Sequence, residues 1–255
     1  WITGASSGIG AELARQYSIL GVKLILSSRR ANILANIKSE CSNPENIKIL
    51  PFDLIDFKSA SEIVNSAFKI FGTVDILINN AGVSQRSLII NTKLEVYRKL
   101  IEINYLGHVA ISNAILPYFI GQGGGTYVII SSVMGKFSSP YRSGYAAAKH
   151  ALHGYFDSLR MEHQKDNIFV TIVCPGFVNT PISKNSLTGD GSPLGKYDKA
   201  NASGLPVEFL VKKTIRAINQ KKWEVSFGGK EKMGVYLKRV SNKLLHYIVK
   251  NYSVR

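Results

Sequence analysis

Short apolar runs alternate along this chain with longer segments whose apolar residues recur at helical spacing. The short runs are Val22–Ser27, Ile47–Pro51, Val74–Ile78, Thr126–Ser131, Ile168–Val173 and Trp223–Phe227; with the stub Trp1–Thr3 they predict seven strands. Helices are predicted near Ile9–Leu20, Arg30–Cys41, Phe57–Phe71, Thr92–Phe119, Gly144–Lys165 and Pro206–Gln220. The apolar runs lack polar alternation, as strands buried on both faces do. Strand and helix taking turns indicates βαβ units. The expected architecture is therefore a single α/β domain over residues 1–255, a doubly wound seven-stranded parallel sheet with helices on both faces. Right-handed crossovers leave a cleft at the carboxyl ends of the strands, where the strand order reverses.

Two segments depart from this rhythm. Residues 181–205, above all Ser183–Leu205, carry Gly189, Gly191, Pro193, Gly195 and Gly204 among polar residues. A connection that long in a compact domain is usually a lid or binding loop, so it is expected to contact substrate. In the C-terminal segment 230–255, apolar Met233, Leu237, Val240, Leu244 and Ile248 recur between basic residues up to Tyr252. That pattern predicts a basic amphipathic helix, whole or broken, packed on the domain or a second subunit, with peripheral contact to an anionic membrane as the alternative.

The net charge of +15 is partly concentrated there, since Lys230 to Arg255 holds seven basic residues and one acid. A solvated basic surface plus a site for a polyanionic cofactor accounts for it; nucleic acid is not expected as a partner. Two cysteines, Cys41 and Cys174, cannot form a disulfide framework, and the five histidines show no metal-ligand spacing. No metal is expected, and a reducing, cytoplasmic setting fits. No apolar run is long enough to span a bilayer. The chain opens inside what reads as a strand, so residues are expected before Trp1, and a leader or anchor there stays open.

Thr3–Gly10 reads TGASSGIG between a strand and a helix. Gly4 permits the tight turn, while Gly8 and Gly10 let backbone approach a pyrophosphate at the helix N-terminus. Strand, turn and helix in this order point to the dinucleotide-binding Rossmann fold. The end of the second strand bears on which dinucleotide. An acid for the ribose 2′-hydroxyl is usual about 20 residues on. Val22 to Ser39 contains none, and Ser28-Arg29-Arg30 takes its place. Two guanidinium groups at a helix N-terminus oppose its dipole unless an anion is held there, which favours a 2′-phosphate and NADP(H).

Tyr145 and Lys149 are four apart on a predicted helix and so share one face. A phenol, with an ordinary pKa of ~10, is a poor base at neutral pH until nearby positive charge favours its anion. Such a pair can exchange the alcohol proton of a redox reaction. Ser131-Ser132 ends the strand before it and offers a hydroxyl to a substrate oxygen. Asn79-Asn80-Ala81-Gly82 follows another strand with small residues. Asn104 lies inside Thr92–Phe119, where mid-helix asparagine marks a kink or a bound water. Cys174-Pro175-Gly176 leads through Val178 to Thr180.

Together these motifs resemble the short-chain dehydrogenase/reductase family in order and spacing over nearly the whole chain. NNAGVSQRS and YRKLIEINYLG are similar to the branch containing hydroxysteroid dehydrogenases and member-7-like dehydrogenase/reductases. The resemblance implies a catalytic tetrad of Asn104, Ser132, Tyr145 and Lys149. Tyr145 would be the acid/base, Ser132 would polarise the carbonyl, and Asn104 would anchor a water. Lys149 would hold the nicotinamide ribose and lower the tyrosine pKa. Gly4, Ser6, Ser7, Gly8, Ile9 and Gly10 would line the phosphates, with Arg29 and Arg30 at the 2′-phosphate. Asp53 and Leu54 would border adenine, Asn80 and Ala81 its ribose, and Pro175, Gly176, Val178 and Thr180 the nicotinamide. Preferring Ser132 over Ser131 rests on family spacing alone, and Ala146 replaces the serine common after the tyrosine. The expected activity is NADP(H)-dependent reduction of a hydrophobic ketone or aldehyde, or the reverse, by a homodimer or homotetramer. The alternatives are a catalytically silent nucleotide-binding regulator and a membrane-associated scaffold of the same fold.

Overall fold

A computed structural model of the chain describes residues 1–251. Its strands are β1 (Ile2–Thr3), β2 (Leu24–Ser27), β3 (Ile47–Ile49), β4 (Ile76–Asn79), β5 (Gly125–Ile130), β6 (Ile168–Pro175) and β7 (Glu224–Phe227). They form one sheet in the order β3-β2-β1-β4-β5-β6-β7, every pair parallel. The helices are α1 (Gly8–Ile19), α2 (Ala31–Ser39), α3 (Ala60–Phe71), α4 (Leu94–Ile101), α5 (Gly107–Gly121), α6 (Ser143–Glu162), the single turn α7 (Lys199–Ala202), α8 (Val207–Asn219), α9 (Met233–Val240) and α10 (Asn242–Asn251).

The unbroken apolar runs are explained by a core on each side of the sheet. Leu24, Leu26, Val128 and Ile130 pack with Leu13 and Tyr17 of α1, Leu34 of α2 and Val211 and Ile215 of α8. The residues between them, Ile25, Tyr127 and Ile129, pack with Val64 of α3, Ile115 and Phe119 of α5 and Phe156 of α6. Successive strand residues point to opposite faces, and both faces are covered, so neither set alternates with polar residues. β1 and β4 are neighbours at the centre, where the strand order reverses and the cleft opens.

Three expectations are modified. Thr92–Phe119 is not one helix: α4 begins after Lys93, and a π-helical turn at Glu102–Leu106 separates it from α5. The turn widens where the fully buried Asn104 side chain leaves the helix to bond the Val83 backbone. The segment after β6 is well tied down. Gln85 and Leu187 form an isolated parallel bridge, and Ser183, Ser186 and Leu187 are buried. A buried ion pair joins Arg86 to Asp198. The tail is two helices with a break at Ser241, and its apolar stripe is differently phased. Val235, Leu237, Leu245 and Val249 pack on Val133, Met134, Phe137 and Tyr145. Of the stripe expected from spacing, only Leu237 packs there, while Met233, Val240, Leu244 and Ile248 are exposed; α9 turns Val235 and Leu237 inward and α10 turns Leu245 and Val249 inward. Residues 252–255, the end of the basic segment, lie outside the described residues. No described helix is long and apolar enough to cross a membrane.

Candidate active site

A continuous cleft of about 560 Å³ runs across the carboxyl ends of the strands. At its centre is the glycine turn after β1. Gly4 and Gly8 adopt φ of +65° and +54°, the left-handed region that favours glycine. A Cβ on Gly4 would lie 2.6 Å from the Ala81 Cα, so the turn after β1 closes directly on the turn after β4. Asn80 fixes that closure by donating to the carbonyls of Thr3 (3.0 Å) and Gly4 (3.1 Å). Gly10 lies behind this contact rather than on the cleft wall, where a side chain would strike the Gly4 carbonyl and Asn80. No side chain caps the N-terminus of α1. Its first-turn amides, beside Ser6, Ser7, Gly8 and Ile9 on the cleft wall, are thus left for an anion.

One end of the cleft is formed by Ser28, Arg29, Arg30, Asp53 and Leu54. Arg29 is 70% exposed and reaches Asp53 only at 4.0 Å, a contact of little strength. Arg30 occupies the N-cap of α2, with no acid in the first turn of that helix.

The other end contains Ser132, Tyr145 and Lys149, with Pro175, Gly176, Val178 and Thr180 after β6. Tyr145 and Lys149 meet on α6 through their four-residue spacing, the ammonium 5.8 Å from the tyrosine ring centre. The two serines part company. Ser131 also lines the cleft, but its Oγ is 3.0 Å from His153 Nε2. Ser132 accepts from Met134 N at 3.1 Å and donates to the Pro175 carbonyl at 3.3 Å, on the cleft wall with Tyr145.

Burial pushes the Tyr145 phenol above its ordinary pKa, opposed by the Ser132 hydroxyl and the charges of Arg142 and Arg86. The cations that favour its anion in this structure are therefore arginines. Lys149 instead donates to the Ile130 carbonyl at 2.8 Å, and burial pulls it down to about 8. Asn104 does not reach the cleft. Its Oδ1 accepts from Val83 N and its Nδ2 donates to the Val83 carbonyl, both at 2.9 Å, so its side chain braces the loop after β4.

Sequence reasoning passed over several wall residues. Arg86, Arg142 and Phe177 line the cleft with Tyr145, beside Ile182 and Leu187 of the segment expected to contact substrate. Arg142 carried the same signal as Arg29 and Arg30, a guanidinium just before a helix, and it lies three residues ahead of Tyr145. The fold also gathers His153, Cys174 and Glu224, whose ligand atoms lie within 4.8 Å of one another despite their distance in sequence. Glu224 already pairs with Lys136 and His153 with Ser131, so the group braces the floor beneath Ser131.

Comparison with known proteins places these features among relatives. The profile of the family described as short chain dehydrogenase matches residues 1–190. The human dehydrogenase/reductase SDR family member 7 is 47% identical over 196 residues, covering 74% of this chain and 58% of the relative. The match thus spans less than two thirds of the human protein. A Drosophila melanogaster SDR family protein 7-like dehydrogenase/reductase is 36% identical over 262 aligned positions, covering 100% of this chain and 80% of the relative. Among solved structures, a Burkholderia phymatum short chain dehydrogenase/reductase in complex with NAD superposes with a TM-score of 0.83 at 22% identity, covering 95% of this chain and 93% of that one. The alcohol dehydrogenase of Thermococcus sibiricus complexed with 5-hydroxy-NADP gives 0.75 at 25% identity, covering 90% and 95%.

Proposed function

The chain belongs to the short-chain dehydrogenase/reductase family, and on that premise we propose that it is an NADP(H)-dependent oxidoreductase interconverting a hydrophobic ketone or aldehyde and its alcohol. One observation carries the reading: a cleft joins an uncapped helix N-terminus at a glycine turn to a buried tyrosine, serine and lysine. Its volume is in the range that encloses small ligands and cofactors. Gly4, Ser6, Ser7, Gly8 and Ile9 would hold the pyrophosphate, with Gly10 permitting the close approach. Asp53 and Leu54 would border the adenine, Asn80 and Ala81 its ribose, and Pro175, Gly176, Val178 and Thr180 the nicotinamide.

NADP(H) is favoured over NAD(H) by charge. Arg29 is weakly held by Asp53 and free to swing onto a 2′-phosphate, and Arg30 stands at a helix N-terminus with no acid partner in that turn.

When bound, the reduced nicotinamide supplies hydride; the protein manages the proton and the geometry. Tyr145 Oη donates the proton to the nascent alkoxide in reduction and accepts it in oxidation. Ser132 directs its hydroxyl at the same substrate oxygen and orients the carbonyl. Lys149, charged in the occupied cleft, holds the nicotinamide ribose and adds to the field favouring phenolate. Asn104 acts as a positioning residue through Val83. Residues 181–205 close the substrate end and exclude water.

A silent nucleotide-binding regulator is disfavoured because tyrosine, lysine and serine all converge on the cleft. A membrane scaffold alone does not account for that convergence. Peripheral membrane contact fits a second observation: Met233 (62% exposed), Val240 (84%) and Ile248 stand bare among Lys238, Arg239 and Lys243. The reading treats residues 1–255 as one domain, forming homodimers or homotetramers through α4, α5 and α6, in the cytoplasm with membrane contact through the tail. The test is NADPH oxidation across a panel of steroids, retinal, quinones, aldehydes and keto esters. Tight NADPH binding with no oxidation of it by any carbonyl would refute the enzymatic reading.

A further inference from the structure

The substrate end of the cleft holds a buried charge whose part in the proposed reaction is only its field on Tyr145. Arg142 immediately precedes α6 and lines the cleft one helical turn before Tyr145. It is only 6% exposed, and its Nε is buried with no hydrogen-bond partner. Among the described residues, no carboxylate forms an ion pair with it. The acid whose field reaches it, Asp198, is already engaged. Both Nε and Nη2 of Arg86 donate to Asp198 Oδ2, and Asn201 N donates to Oδ1 at 2.8 Å. One side of the Arg142 guanidinium is covered by the Phe177 ring, 5.3 Å away.

Burying an ionised guanidinium with an N–H left unpaired is costly, and the field of the engaged Asp198 and the Phe177 face offset this only in part. Burial and the neighbouring charge of Arg86 pull Arg142 down only to about 10, so it stays charged at neutral pH. The residue also opposes the dipole of α6. These costs are relieved together by an oxyanion entering from the cleft. The cofactor phosphates do not meet the need. Arg29 follows β2, whereas Arg142 lies in the crossover between β5 and α6, three strands further along the sheet. The glycine turn lies between them at β1. The cleft lining there is mixed: Phe177, Ile182, Leu187 and Pro193 are apolar, while Ser84, Asn185, Asn201 and the already paired Arg86 are polar.

We propose that Arg142 is a specificity-determining residue that binds an anionic group of the substrate, a carboxylate or a phosphate monoester, carried a few bonds from the carbonyl on an otherwise apolar molecule. The proposal rests on the reductase reading for its carbonyl, while its anion-binding half stands on Arg142 itself.

The experiment therefore has a binding arm and a turnover arm, both on the full chain saturated with NADP⁺ or NADPH so that the Arg29 end is filled. In the binding arm, calorimetry compares hexanoate and hexyl phosphate with hexanamide and hexanol. At least one anion should bind at least tenfold more tightly than its neutral counterpart. Arg142→Gln should remove that preference, and Arg142→Lys should restore part of it. NADPH binding and the melting temperature of each variant report whether it is folded. In the turnover arm, 4-oxo to 7-oxo octanoic acids are compared with their methyl esters, and an oxoalkyl phosphate with its free alcohol. The anionic member should show the higher kcat/KM, and the ratio should collapse to about one in Arg142→Gln. Anion binding without turnover would sink the reductase reading and leave the anion site standing. Turnover of esters with no anion preference in either arm would overturn the anion site alone. A loss in Arg142→Gln that is equal for acid and ester, with the alkaline limb of the pH profile displaced, would also overturn it and make Arg142 a positioning residue for Tyr145.

Discussion

Asp198→Asn isolates the force that holds the substrate segment against the sheet. Asp198 is 6% exposed and Arg86 10%, so their pair is largely out of water. Asp198 accepts from Nε of Arg86 at 3.0 Å and also from Nη2, while its other oxygen caps α7. An asparagine can keep the capping oxygen, but it presents a neutral amide to a buried guanidinium. Removing one partner of a buried pair costs about 3–5 kcal/mol, mainly through the charge left behind. With the cap retained, the lower end applies, about 3 kcal/mol. What the pair secures is residues 181–205, whose Leu187 packs on Val96 and Leu100 of α4 and bridges to Gln85, and whose Leu205 bridges to Val178. The loss should therefore surface first as local opening. At 1.4 kcal/mol per tenfold, the open form gains about a hundredfold. Limited proteolysis under conditions where cleavage tracks the open population should show a comparable acceleration within 181–205, with KM for substrate raised. Arg86→Met/Asp198→Leu should recover most of the protection, since an apolar pair replaces a buried ionic one at little cost. Cleavage within twofold of wild type, with an unchanged melting temperature, would refute the assignment of the loop's attachment to this pair.

Four further outcomes are expected. Tyr145→Phe should lower kcat by at least about 10²–10⁴ while NADPH affinity measured by fluorescence stays close to wild type; retained turnover would dismiss the phenol as acid/base. Gly4→Ala should cost well over about 1 kcal/mol in denaturant melts, combining positive φ with a methyl 2.6 Å from the Ala81 Cα, and should weaken cofactor binding. Arg29→Asp should move the NADPH/NADH ratio of kcat/KM toward NADH by at least about tenfold, and an unaltered ratio would count against charge as the selector. Lys149 is held at about 8 against an ordinary 10.5. The native state thus carries its penalty while the amine is charged, and stability relative to Lys149→Met should rise from about pH 8 to about 10.5, by up to about 3 kcal/mol; a relative fall over that window in paired urea melts would reverse the assigned cause.

What the sequence made legible was whatever is set locally or by period. The strand runs and the glycine turn could be read because backbone conformation and two-sided burial each leave a mark at fixed spacing. Tyr145 and Lys149 were joined by a single helical turn. The errors fell where tertiary contacts overrule local pattern. Asn104 in an apolar helix pointed to an interruption, but its partner, the Val83 backbone, is remote in sequence and declares nothing. The tail's spacing admitted a broken helix but gave the wrong phase, since Val235, Leu245 and Val249 join Leu237 against Phe137 and Tyr145. Arg86 with Asp198, and His153 with Cys174 and Glu224, are pairings between crossovers that no window of sequence contains.

The placement of charge gives these observations a common cause. Arg29 and Arg30 stand at one end of the cleft and Arg142 and Lys149 at the other, two exposed and two buried. The exposed pair costs little in the empty protein, being solvated, and is suited to recruiting an anion from water. The buried pair is different in kind, because each ammonium or guanidinium has lost hydration that no described carboxylate replaces. Lys149 recovers part of it from the Ile130 carbonyl, whereas Arg142 has only an aromatic face. Such a site is costly until it is filled, so cofactor and substrate complete the electrostatics of the fold as well as occupying its cleft. The arrangement also keeps Tyr145 beneath two arginine charges without requiring Lys149 to be protonated beforehand. Ligand binding and phenol activation are then coupled through the same few cations, because an anion bound at Arg142 would weaken the field on Tyr145 even as it orients the carbonyl toward it.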